Sequence, residues 1–131
     1  MKPSEILAAQ ARQKAEPLLE QGRTHLNNRD FDNATAQLEA ALRIYPQYTD
    51  ALQLLGIVYA QTNRLQLAVS QFKKILTIEP FNTRAHNNLG QVLDDLKDYE
   101  SAIASFDRAI AIDPNYAAAH ANRADTLTRA A

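Results

Sequence analysis

The sequence predicts an all-α fold, a solenoid of antiparallel helix pairs, from three observations. Gly22, Gly56 and Gly90, the only glycines, lie 34 residues apart. Pro46, Pro80 and Pro114 keep the same interval, as do Ala34, Ala68 and Ala102. Within each interval apolar residues recur at three and four positions, the period of one helix face. A unit this short buries its apolar face only against copies of itself, so the copies stack around a continuous core. Such an array offers a partner one long curved surface, which favours a scaffold over a catalyst.

The elements follow in order. An opening helix over residues 4–14 is expected from an alanine-rich segment that Ser4 can cap. Pro17 fits the first turn of the next helix, 16–28, and one long helix kinked at Pro17 is the alternative. The first unit, 15–48, continues with a helix at 31–45 and closes at Pro46. In the second unit, 49–82, Leu52, Leu55, Gly56 and Tyr59 mark a helix at 50–62, which Thr62-Asn63-Arg64 interrupts. Leu65, Ala68, Val69, Phe72, Ile75 and Leu76 then form the stripe of a helix at 65–79. Pro80 lacks an amide hydrogen and disfavours helix at Glu79, which ends the pair. The third unit, 83–116, repeats the design with helices at 84–96 and 99–112. The segment 117–131 holds a last helix at 118–130, either a cap or the first half of a further unit.

Glycine inside a helix costs about 1 kcal/mol relative to alanine, so Gly56 implies a close helix approach. Its missing side chain and the methyls of Ala60 and Ala68 leave room for Phe72 to fill. The pattern of Leu-Gly, then Tyr, then Ala-x-x-x-Phe and Pro resembles the tetratricopeptide repeat. The second unit matches throughout. The third carries Leu89-Gly90, Ala102-x-x-x-Phe106, Ala109 and Pro114, with His86 and Leu93 at aromatic slots. The first keeps Gly22, Ala34, Ala41 and Pro46 but has Gln21, His25 and Leu38 at apolar slots, as suits a terminal repeat.

The resemblance implies a right-handed superhelix whose first helices line a concave face. It places Leu19 and Arg23 of the first unit in the groove, with Gln53 and Ile57 of the second. From the third come Arg84, Asn87, Asn88 and Gln91, and from the last helix Asn122. Asn88 and Asn122 share a slot, so their amides are expected to form a short ladder for an extended peptide backbone, as in the repeat domains of O-linked N-acetylglucosamine transferases. The family's carboxylate clamp for chaperone C-termini needs lysine and asparagine in the first repeat, asparagine in the second and basic residues in the third. Here those places hold Leu19 and Arg23, then Leu54, then Arg84 and Asn88, so most of that clamp is missing. Arg84 beside Asn87, Asn88 and Gln91 still makes a donor-rich region suited to a carboxylate.

Composition excludes other classes. Hydrophobic residues at 46% and charged ones at 22% suit a folded protein, and a net charge of −1 gives no nucleic-acid footprint. With no cysteine there are no disulfides, thiolate metal sites or cysteine nucleophiles. The apolar run Ile6 to Ala9 is too short for a leader or a membrane span, so a cytoplasmic protein without membrane insertion is expected.

Catalytic chemistry is not expected either. Asp94 and Asp95 are adjacent on a helix and point about 100° apart, so they do not converge on one substrate. Asp98 is placed as a helix cap, with the neighbouring acids solvated. His86 and His120 recur one repeat apart at packing slots, and with His25 they form no convergent metal site. The serines lack triad partners and no phosphate loop exists, so no cofactor or metal is expected. These readings predict a non-catalytic adaptor that binds a peptide or protein segment in its groove. The alternatives are the substrate-recruiting arm of a larger enzyme such as a glycosyltransferase, or a scaffold that self-associates end to end.

Overall fold

A computed structural model describes the whole chain from Met1 to Ala131. The chain forms seven helices and no strand: α1 (Pro3–Asn27), α2 (Phe31–Ile44), α3 (Thr49–Gln61), α4 (Leu65–Ile78), α5 (Thr83–Asp95), α6 (Tyr99–Ile112) and α7 (Ala117–Ala130). Each helix packs on the one that follows it. In addition α1 touches α3 and α5 touches α7, whereas successive even-numbered helices make no comparable contact. The odd helices therefore line the inside of a curve and the even ones its outside. This is an α-solenoid.

The turns within the pairs are built alike. Arg29, Asn63 and Lys97, again 34 residues apart, take positive φ of 57°, 60° and 66°. At the first, Arg29 N–H donates to Leu26 O and Asp30 N–H to His25 O, and the same two bonds recur at Asn63-Arg64 and Lys97-Asp98. They close α1, α3 and α5 as Schellman motifs, a place where glycine is usual and none is present. Asp30 then caps α2 by accepting from Asn33 N–H (3.4 Å), and Asp98 caps α6 by accepting from Ser101 N–H (3.3 Å). Arg64 gives α4 no such cap.

Between pairs, side chains pin the proline turns. His86 Nε2 donates to the Pro80 carbonyl (2.9 Å) and His120 Nε2 to that of Pro114 (2.8 Å). A carbonyl only accepts, so Nε2 carries the proton in both rings. His86 is buried as a packing residue should be, but His120 is exposed on the open side of α7, where its role is the turn bond alone.

The glycines seat the even helices. A Cβ on Gly22 would lie 2.7 Å from the Leu38 side chain, on Gly56 2.7 Å from the Phe72 ring, and on Gly90 2.5 Å from the Phe106 ring. The large side chain therefore sits on the glycine of its own pair, closer in than a space between pairs. Leu38, Phe72 and Phe106 are all fully buried.

One boundary differs from expectation. Residues 4–14 do not form a separate helix, and Pro17 does not open a new one: α1 runs unbroken from Pro3 with Pro17 inside it. The cap is Lys2 rather than Ser4, with Pro3 in the first turn. Pro17 is exposed, so the Gln13 carbonyl it leaves without an amide partner can bond to water. Ala15 beside it is fully buried and holds the helix to the core.

Candidate functional site

The inner face is built from α1, α3, α5 and α7. The helices α5 and α7 meet through residues 35 apart. Asn122 Nδ2 donates to Asn87 Oδ1 (3.1 Å), and Arg129 Nε donates to Asp94 Oδ1 (3.0 Å) while its Nη2 bonds Oδ2. The same step relates Leu19 to Leu54 and Gln53 to Asn88. Chemistry changes along these seams. Leu19 and Leu54 are buried at the first, and Gln53 at the second is buried with its Nε2 unpartnered. The third carries the asparagine pair and the ion pair.

Asn122, expected to form a ladder with Asn88, donates to Asn87, one residue earlier. Adjacent positions on a helix point about 100° apart, so one faces the following helix and the other the preceding helix. Three of the nine expected groove residues, Leu19, Gln53 and Asn87, are buried within the seams. Ile57, Asn88 and Asn122 are half-buried, while Arg23, Arg84 and Gln91 are exposed on the groove.

Two cavities open on this face. The first, of about 560 Å³, gathers Arg23 and Leu26 of α1, Arg29 of the turn, Leu54, Ile57 and Gln61 of α3, and Arg84 of α5. Three arginines thus line a cavity floored in part by Leu26, Leu54 and Ile57. Arg23 has Glu20 3.5 Å away, Arg29 lies 5.2 Å over the Phe31 ring, and Arg84 has no ion-pair partner. The second, of about 340 Å³, lies between α5 and α7, lined by Gln91, Asp94, Asp95, Asn122, Thr126 and Arg129 above the Phe106 ring. Thr126 is fully buried and its hydroxyl has no partner. Partial burial, and then the charge of Asp94, push the Asp95 carboxyl above its ordinary value. Arg29 and Thr126 were not foreseen: Arg29 is brought in by the left-handed turn, and Thr126 looks like any helix residue.

A third cleft, about 530 Å³, lies on the outer side between α2 and α4 over Leu52 and Leu55, where Tyr59 Oη donates to Glu39 (3.3 Å). No helix is long and apolar enough to cross a membrane.

Sequence models of the tetratricopeptide repeat match residues 19–83 and 83–116, contiguous over most of the chain. The chain belongs to the tetratricopeptide repeat family. Solved tetratricopeptide structures share its fold. The first such domain of Spaghetti (RPAP3), bound to the HSP90 peptide SRMEEVD, superposes with a TM-score of 0.86 at 19% identity, covering 90% of this chain and 94% of that one. The Sgt2 domain of Aspergillus fumigatus gives 0.84 at 19%, covering 88% and 78%. An O-GlcNAc transferase of Thermobaculum terrenum gives 0.83 at 25%, covering 89% of this tetratricopeptide chain and 22% of that enzyme. Among curated proteins none matches this chain. Repeats of this family form protein-interaction modules, and they account for residues 19–116 of this chain.

Proposed function

We propose that the chain is a non-catalytic adaptor whose inner groove binds an extended peptide through a carboxylate. The single observation that carries this reading is the convergence of Arg23, Arg29 and Arg84 around Leu26, Leu54 and Ile57. Arginine offers a planar fork of donors that matches a carboxylate, and the apolar floor accepts a neighbouring side chain. The HSP90 peptide on the RPAP3 domain, which carries acidic residues, supports the same class of ligand. The means of holding it differs, because Leu19 and Leu54 are buried where a clamp of polar residues would stand. The test is a peptide array scored against Arg84→Ala and Arg23→Ala. Acidic peptides are expected to lose about tenfold or more in affinity, in line with a charge-assisted bond. Equal binding by the variants would discard the reading.

A second reading has one observation in its favour. The 25% identity to a stretch of a glycosyltransferase supports a role as the recruiting arm of a larger enzyme. In that setting the same groove captures the substrate peptide.

A further inference from the structure

The α5–α7 cavity is opposite in character to the arginine cavity. Asp94 is engaged on both oxygens by Arg129, and Asp95 has no ion pair. Asp94, Asp95 and Arg129 together leave one net negative charge in the pocket. Asn122 gives its Nδ2 to Asn87, which leaves its Oδ1 free to accept. Thr126 adds a wholly buried hydroxyl with no partner, a cost that a native structure normally avoids unless something completes the site.

We propose that this cavity takes a lysine ammonium from the same peptide whose carboxylate lies among Arg23, Arg29 and Arg84. The inference rests on the peptide-binding reading above and adds a second anchor to it. A guanidinium fits less well, because the bidentate seat on Asp94 is already filled by Arg129. What remains is a set of single acceptors from two helices, Asp95, the Asn122 carbonyl and the Thr126 hydroxyl, which suits the three donors of a compact ammonium. The raised Asp95 carboxyl is consistent with this, since a nearby cation would relieve the repulsion from Asp94.

Spacing follows from the array. Packed helices lie about 8–10 Å apart, and the cavities are about one and a half odd-helix steps from each other, roughly 12–15 Å. An extended chain covers about 3.3 Å per residue, so acid and lysine should stand roughly four or five residues apart. The groove would then select peptides by the separation of two opposite charges.

The experiment uses the full chain and fluorescence-labelled peptides of alanine and serine, with one glutamate fixed and one lysine moved from three to eight residues away. A matching series carries norleucine in place of lysine. The expected result is an affinity maximum at a separation of about four or five, and about a tenfold loss on changing that lysine to norleucine. With Asp95→Asn the lysine and norleucine peptides should bind within twofold of each other, while Arg84→Ala weakens both alike. Equal binding of the lysine and norleucine series at every separation overturns this proposal and leaves the arginine cavity standing. A lysine preference that persists in Asp95→Asn also overturns it, by placing the ammonium elsewhere. If no peptide of either series binds, both readings fail together. Asp95 is exposed on one side, so Asp95→Asn should fold normally, and an unchanged helical circular dichroism spectrum checks this.

Discussion

The first and last seams of the groove have the same backbone plan and opposite chemistry. Between α1 and α3 the 35-residue step relates two buried leucines; between α5 and α7 it joins two asparagines and an ion pair. Burying leucine removes apolar area from water and contributes directly to stability. An asparagine pair contributes little net free energy, but costs more when one partner is lost. The contrast shows how an array divides its labour, with the first seam apolar and buried and the last lined by polar and charged groups.

The largest effect that would break this contrast is at the first seam. Leu54→Ala should lower unfolding stability by about 2–4 kcal/mol in urea denaturation, against about 1 kcal/mol for Asn122→Ala. Equal losses would mean that the seams do not differ in kind. A second comparison sets glycine seats against each other. Gly90→Ala forces a methyl into the Phe106 ring and should cost about 1–2 kcal/mol after the helix-propensity gain, whereas Gly22→Ala meets the more adaptable Leu38 and should cost less. Thermal melts of the two variants check the order.

Replacing both members of the polar pair sharpens the point. Asn87→Leu with Asn122→Leu copies the first seam, and its stability should equal or exceed that of the parent while Asn122→Ala alone stays below it. Smaller still is the left-handed turn: Lys97→Gly relieves a positive φ and should stabilise by about 1 kcal/mol, with the pocket chemistry unchanged. The smallest effect is electrostatic. The folded Asp95 carboxyl lies above its ordinary value, so the folded state holds its proton more tightly than the unfolded state. Its contribution to stability therefore rises as pH falls through the region just above the ordinary carboxylate range. Subtracting the pH profile of Asp95→Asn from that of the parent should show this slope, and a slope of the other sign would refute the assignment.

Much of the fold was legible because packing constraints recur at each repeat. Gly56 with Phe72 and Gly90 with Phe106 mark the seats of the pairs, and Pro46, Pro80 and Pro114 mark the turns between them. The merging of residues 4–14 into α1 was legible only as the alternative to two helices, because sequence alone does not show that Pro17 is exposed and that the burial of Ala15 holds the helix through it. The groove was read by slot and only partly recovered. Arg84 and Arg23 line one cavity, whereas Leu19, Gln53 and Asn87 are buried, and the 35-residue step from Asn87 to Asn122 is one that a 34-residue period does not reveal. Arg29 was hidden by its backbone conformation, since no glycine marked the turn.

The central claim is that ligand contacts lie on the inner face and run from the arginine cavity to the α5–α7 cavity. The direct measurement is a titration of isotopically labelled protein with the best-binding acid-and-lysine peptide, followed by amide and side-chain NMR shifts. Perturbation of Arg23, Ile57, Arg84 and Gln91, continuing to Asn122 and Thr126, with α2, α4 and α6 quiet on their outer sides, is the predicted result. Shifts centred on the outer cleft between α2 and α4, at Glu39, Leu42 and Lys74, would contradict it.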